Sequence, residues 1–274
     1  MRSVLAGLIL VLAGYCGYWP VARAEEIRIG GTGVGLALMR IIAESYQAQN
    51  PGDTIWIPES VGTAGAIKGV AASKLDIGII LRPLRDGEVA GGVAEELCRT
   101  PLVFFAHASR SDLALTRENL SALYEGRLAR FPFGEVRALL RPSTDMGFTR
   151  LVEYFQELAP IVLAARETRG TNLALTDQDA MEMVEKSRSL ISFGALLPLM
   201  AERRKLAVIP LNGIMPSLDA MAAGTYPYWT PVFLATGSAP APAATRFLEY
   251  TRSAVTDSLL RANGCLPAMG HGKK

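Results

Sequence analysis

Gly30-Gly31-Thr32-Gly33-Val34-Gly35 decides how this 274-residue chain is read. The run follows a short apolar strand, Ile27-Arg28-Ile29, and opens a helical pattern. In that pattern Leu38, Ile41, Ile42, Ser45 and Tyr46 recur at three- and four-residue spacing, so one face is mostly apolar. Glycines leave no Cβ between the backbone N–H groups and an approaching ligand. The helix start adds N–H donors without intrahelical acceptors and a partial positive charge. A corner of this kind favours an anion, held by the Thr32 hydroxyl and the amides of Gly33 and Val34. A tight strand–helix connection is the plainer alternative.

A second segment, Ser60-Val61-Gly62-Thr63-Ala64-Gly65-Ala66-Ile67-Lys68, repeats the design after the strand Thr54-Ile55-Trp56-Ile57. Gly62, Thr63 and Ala64 stand there as Thr32, Gly33 and Val34 do in the first corner, although Thr63 also suits a helix N-cap. Lys68 lies one turn into its helix and is expected in solvent. The third strand, 76–81, is a continuous apolar run that ends at Arg82-Pro83, where proline stops the ladder. Three strand–helix repeats predict a doubly wound α/β sheet, whose ligands sit beyond the carboxyl ends of the strands.

Further along, 102–106 reads as a strand leading out of this first unit, and a helix around Leu120, Leu123 and Tyr124 closes at Gly126. A strand at 136–140 meets a helix reaching about Leu158 through Arg141-Pro142-Ser143-Thr144-Asp145-Met146-Gly147. Arg82 and Arg141 thus both stand at strand ends. The planar guanidinium suits an oxyanion, and an ordinary ion pair is the alternative for each. Asp145 either caps the helix after it or pairs with Arg82 or Arg141. Thr176 is a predicted N-cap; 189–194 and 206–210 read as strands and 217–224 as a short helix. The segment 230–236 looks like a strand returning to the first unit, ahead of helices at 243–252 and 256–262. The implied division is 1–24 as a leader, 25–105 plus 233–274 as lobe one, and 106–232 as lobe two. Two crossings, near Phe105 and Val232, would form a hinge beside a cleft.

Arg2, the short apolar stretch 4–12 and the small-x-small site Ala22-Arg23-Ala24 have the form of a secretory signal peptide. Export to the periplasm with cleavage near Ala24 is expected; an uncleaved anchor is disfavoured by the shortness of the run and by Gly14 and Gly17. Tyr15 stands where a lipobox before Cys16 needs a small residue. The whole chain has 28 basic and 26 acidic side chains, and losing Arg2 and Arg23 leaves 26 of each, a formal charge of zero. With no basic block, nucleic acid is not an expected partner. Cys98 and Cys265 either form a disulfide closing a long loop or remain two buried thiols. The two histidines, His107 and His271, have no zinc spacing, so no metal or cofactor is expected. Glu59 after the second strand invites a dinucleotide-binding reading, but the glycine spacing is G-x-G-x-G rather than G-x-G-x-x-G. No G-x-S-x-G elbow supports nucleophilic catalysis, and His107 fits a core or hinge position.

Four stretches together resemble the type II periplasmic binding proteins, specifically the phosphate-binding receptors of ABC transporters. They are GGTGVG, SVGTAGAIKGV, DIGIILRPL and LNGIMPSLDAMAAGTYPYWTPVFLAT. The resemblance implies a two-lobed α/β fold, each lobe a mostly parallel sheet flanked by helices, with a two-segment hinge. It implies a monomeric receptor without catalytic activity that closes on a small oxyanion, phosphate being favoured, and delivers it to an ABC permease. It gives Thr63 a ligand-binding hydroxyl and makes Arg141 similar to the family's second-lobe arginine. Two departures stand out. Leu81 occupies the position where phosphate receptors carry an aspartate, and Asp145-Met146-Gly147 replaces Ser-Gly-Thr. A sensory or adaptor receptor that keeps the fold with altered specificity is therefore the alternative, with a dinucleotide enzyme last.

Overall fold

β1 (Glu26–Gly31) lies in register between β2 (Thr54–Trp56) and β3 (Ile77–Ile80), parallel to both, in a computed structural model that describes residues 25–127, 136–167 and 172–268. The expected leader and cleavage site, together with His271, lie outside the described residues. All four residues of β3 are buried, as a strand covered on both faces requires. Helix α1 (Gly33–Gln47) turns Val34, Leu38, Met39, Ile42 and Tyr46 inward at helical spacing. Helix α2 (Gly62–Ala71) does the same with Thr63, Ala66, Ile67 and Val70.

Next comes β4 (Val93–His107), 15 residues long where the sequence pattern indicates a strand only at 102–106. Its first half alternates inward residues with Val93, Glu95 and Arg99, which point to solvent, so its hydrophobic signal is weak. From Val93 to Pro101 it runs antiparallel to β8 (Trp229–Thr236). From Leu102 onward it pairs instead with β6 (Leu190–Ala195) and β7 (Leu206–Ile209), also antiparallel. The strand order is β2-β1-β3-β8-β4-β6-β5, with β5 (Arg137–Ala138) parallel to β6, and both β7 and β9 (Leu266–Pro267) pairing with β4. Strands joined by strand–helix repeats are parallel, and the long strands that link the two halves are antiparallel. The change of partner falls at Pro101–Leu102, with Trp229 opposite Pro101, a few residues before the crossings expected near Phe105 and Val232.

The second half adds α3 (Arg117–Tyr124), closed by Gly126 at φ +68°, then α4 (Met146–Tyr154), α5 (Ala159–Glu167) and α6 (Asp177–Glu185). Thr176 caps α6 through its side chain, which accepts from Asp179 N at 3.0 Å. Two helices lack any clear sequence signal: α5 and the short α7 (Leu196–Ala201). After α8 (Leu218–Ala222) and β8, the chain continues through α9 (Pro242–Tyr250) and α10 (Ala254–Ala262), which lie against the first half, to β9. Arg246 of α9 donates to both oxygens of Asp53, which also accepts from the buried Tyr46 hydroxyl at 2.6 Å. Cys98 and Cys265 are joined by a disulfide with their Cα atoms 5.7 Å apart, tying β9 to β4. One apolar core runs through both halves, from Ile29, Leu38 and Ile42 to Phe104, Phe155 and Phe193.

Candidate functional site

Thr32 N donates to the Ile79 carbonyl at 3.1 Å, which sets the corner between β1 and α1. A Cβ at Gly31 would come within 2.7 Å of Ile79 N and Cβ, so the two strands approach closely only because position 31 carries none. Thr32 is the N-cap residue of α1, yet its side chain makes no cap bond. It lines a small cavity instead, together with Val34, Leu81, Asp145, Arg150 and Asp177. Leu102, Met146, Gly147, Gly194, Ala195 and Thr230 complete the wall. The cavity therefore sits beyond the carboxyl ends of β1, β3 and β6, between the two halves of the sheet, where ligands bind in open α/β folds. The first N–H groups of α1, at Gly33 and Val34, have no intrahelical acceptor and give that wall its positive dipole end.

The cation of the wall is Arg150, a position no motif in the sequence marks. It lies on α4, and its guanidinium reaches out of the second half into the first. Nη2 donates to the Leu81 carbonyl at 2.7 Å and Nε to Thr230 Oγ1 at 3.2 Å. Nη1 pairs with Glu153 one turn along the same helix. No sequence pattern singles out this mid-helix arginine between Thr149 and Leu151; only the three-dimensional placement of α4 aims it at the cleft.

Of the nine residues expected from sequence at the ligand, Thr32, Val34 and Asp145 are in the cavity wall. Gly33 stands at its margin: a Cβ there would collide with Gln178 Oε1 and lie 3.0 Å from Asp177 Oδ2. The structure does not bring Gly62, Thr63, Ala64, Arg82 or Arg141 into the wall. Thr63 is buried directly behind it, with Oγ1 accepting from Leu81 N at 3.3 Å. Gly62 takes a left-handed conformation at φ +67° and Ala64 is exposed. Arg82 is held by Glu88 through two short bonds, 2.8 and 2.7 Å, which with the Arg85 amide depress the Glu88 carboxyl to about 2.

Arg141 is 6% exposed and its fork is directed inward. Nε and Nη2 meet the two oxygens of Asp145 at 3.0 Å each, Nη2 also approaches Asp177 Oδ1 at 3.4 Å, and Nη1 donates to the Thr176 carbonyl. Asp145 additionally caps α4, accepting from Gly147 N at 2.8 Å. Both pairings considered for Asp145 with α4 and Arg141 are thus present at once, whereas Arg82 is engaged elsewhere. Arg141 stands behind two wall carboxylates and offsets part of their charge, rather than facing the cavity itself.

Asp177 is the first residue of α6 and did not emerge from the sequence pattern except as part of a helix start. Burial is the main cause that pushes its carboxyl up to about 6; Arg141 opposes this, and Asp145 and Glu202 reinforce it. Its neighbour Gln178 donates through Nε2 to the Gly33 carbonyl at 3.1 Å and to Glu202 at 2.8 Å, linking α6 to the start of α1. The wall thus combines one arginine, a helix N-terminus, a threonine hydroxyl and two carboxylates backed by a second arginine. It can hold an anion, and its carboxylates accept a hydrogen from a ligand that has one to give. Among the described residues no group of three or more His, Cys, Asp or Glu side chains could hold a metal ion. No helix of the described residues is long and apolar enough to cross a membrane.

Comparison with known proteins agrees with the architecture. A family model described as a PBP superfamily domain matches residues 21–255. No curated protein sequence matches the chain. Among solved structures, the chain is similar to a putative phosphate ABC transporter substrate-binding protein with bound phosphate from Clostridium perfringens. The TM-score is 0.75 at 14% identity, covering 89% of this chain and 99% of that one. It is similar to an ABC-type phosphate transport receptor from Vibrio cholerae, with TM-score 0.59, 18% identity and coverage of 89% and 100%. It also resembles the CcmR regulatory domain of Synechocystis PCC6803 in complex with 2-PG, with TM-score 0.57, 12% identity and coverage of 83% and 95%. At these identities the structural likeness speaks for the fold alone.

Proposed function

We propose, from the premise that the chain belongs to the PBP superfamily, that it is an exported solute receptor for a small oxyanion. Phosphate is the leading ligand, and delivery to an ABC permease is the expected use. The observation that carries this reading is the convergence on one small cavity of the α1 N-terminus, the Thr32 hydroxyl and Arg150 from opposite halves of the sheet. Residues 25–105 with 233–274 act as one lobe and 106–232 as the other, moving about the β4 and β8 crossings. Closure then surrounds the anion with N–H and O–H donors in place of water, where fixed dipoles act strongly because little solvent is present. The receptor works as a monomer after its leader is removed near Ala24.

A second reading is a sensory or adaptor receptor with another ligand. Asp145 and Asp177 in the wall favour it, because carboxylates repel a fully charged oxyanion. The CcmR regulatory domain carries a related fold. A thermal-shift panel of phosphate, arsenate, sulfate and molybdate on anion-stripped protein separates the two. Selective stabilisation by an oxyanion supports the transport receptor. No response to any of the four would move the assignment to the adaptor.

A further inference from the structure

An anion seated at the N-terminus of α1 has a carboxyl group of the protein for a neighbour. Asp177 Oδ2 lies 3.0 Å from where a Cβ of Gly33 would be, and the Asp177 side chain is only 18% exposed. Every charged group packed around it is fixed by the fold. Arg141, from the segment before α4, approaches Oδ1 at 3.4 Å and is shared with Asp145 at the start of α4. Glu202 follows α7 and is itself paired with Arg204 at 2.7 Å. Asp179, on α6 like Asp177, adds negative charge near Arg141. The α1 side contributes Gly33 and Val34, which carry no charge, and Arg150 enters the same cavity from α4. One guanidinium therefore serves two wall carboxylates, and the pair keeps an excess negative charge beside the anion site.

We propose that Asp177 makes anion capture proton-linked: a fully ionised oxyanion is bound together with one proton taken up on the Asp177 carboxyl, which then donates to it. The inference rests on the oxyanion reading of the cavity. The bookkeeping is one proton from solvent onto Oδ, no bond to the ligand made or broken, and the proton returned when the ligand leaves. Burial already holds this carboxyl at about 6, so the proton is readily taken up near neutral pH. An oxyanion that keeps a proton of its own below neutral pH, as phosphate does, brings the shared hydrogen with it and needs none from solvent. Phosphate and sulfate must then differ in pH dependence at the same site.

Titration calorimetry of the anion-stripped chain with inorganic phosphate and with sulfate, in paired buffers of different ionisation heat, counts the protons directly. Expected for sulfate is uptake approaching one proton at pH 7 and an affinity that falls about tenfold per pH unit between pH 7 and 8. Expected for phosphate between pH 6 and 7 is little proton uptake and a nearly constant affinity. Asp177→Asn, which keeps the shape and can donate without titrating, should make sulfate affinity independent of pH. The proton count on the natural chain stands without that variant should it fold poorly. Sulfate binding with no proton uptake and no pH dependence would overturn the inference while leaving the oxyanion reading intact. Absence of binding by either anion at every pH would overturn the reading and the inference with it.

Discussion

Arg150 donates to the Leu81 carbonyl at 2.7 Å, so a helix of one half of the sheet holds the strand end of the other across the cavity. The same guanidinium reaches Thr230 on β8, beside the point where β4 changes partners. One side chain thus touches both walls and the crossing between them. That position gives Arg150 a role in the ligand-binding account that neither Arg82 nor Arg141 has.

Arg150→Lys keeps the charge and loses the planar fork, which made the Leu81 and Thr230 bonds at once. Phosphate affinity measured by calorimetry is expected to fall by about ten- to a hundredfold, one charge-assisted bond being worth about 1.5–3 kcal/mol. Arg150→Ala should lose more. An unchanged affinity in both variants would remove Arg150 from the site.

Arg141 has a different task. Removing it by Arg141→Ala strands Asp145 and Asp177 as partly buried carboxylates without their cation, at a cost of up to about 3–5 kcal/mol in denaturant unfolding. Combining it with Asp145→Asn and Asp177→Asn should recover much of the loss, because no unpaired charge then remains. Full stability in Arg141→Ala alone would show that the pairing seen here is unimportant.

Gly31 and Gly33, two positions apart, should respond differently to substitution. Gly31→Ala forces a Cβ against Ile79 and is expected to cost about 1–3 kcal/mol of stability. Gly33→Ala first meets the far end of the Gln178 side chain, which can swing aside, and Asp177 of the other half, and alanine is the better helix former. Its melting temperature should hold while phosphate affinity drops severalfold. Equal effects of the two substitutions on stability would contradict a cleft at that margin.

The pH dependence of stability has two parts of opposite sign. Asp177 holds its proton more tightly folded than unfolded, so the native state binds more protons between about pH 4 and 6. Stability from this group therefore falls as pH rises through that window, by about 3 kcal/mol at most. Asp53 and Asp76 go the other way. Burial raises both, but the Tyr46 and Arg246 bonds to Asp53 and the Arg28 bonds to Asp76 outweigh it and leave each below the usual carboxylate range. Their contribution is present above the unfolded value and is lost as acid protonates them. Urea unfolding from pH 3 to 8 should show loss of stability in strong acid, and Asp177→Asn should gain stability at pH 7–8 relative to the natural chain. A variant less stable at pH 8 would contradict the strained state assigned to Asp177.

The disulfide fastens β9 and the end of α10 to the middle of β4, its cysteines 167 positions apart in sequence. Cys98→Ser with Cys265→Ser is expected to cost about 2–5 kcal/mol. The thermal melt of the natural chain should drop with reductant while that of the double variant does not move. Insensitivity of the natural chain to reductant would contradict the expectation.

How far the sequence carried the fold follows from where its signals are local. The glycine corners at Gly31–Gly33 and Gly62, the apolar β3 and the capped helix at Thr176 announce themselves within a few residues, and each is found close to its expected place. The first half of β4 does not, because Glu95 and Arg99 face solvent on a strand whose partner, β8, comes more than 120 residues later. Three residues of the cavity wall were legible, Asp145 among them at the strand–helix turn of the second half. Thr32 and Val34 follow from the corner itself. Arg150 and Asp177 belong to helices whose aim is set by long-range packing, and the choice of Arg141 as a cavity residue failed to anticipate Asp177, 36 positions away, as its second partner.

Where an oxyanion sits in the chain can be located directly. Crystals of the anion-stripped chain grown with arsenate give an anomalous difference map in which the heavy centre is located without reference to protein side chains. The account predicts a single strong peak between the Gly33 and Val34 amides and the Arg150 guanidinium, within reach of the Thr32 hydroxyl. A peak elsewhere, beside Arg82 for instance, or none at saturating arsenate, would contradict it.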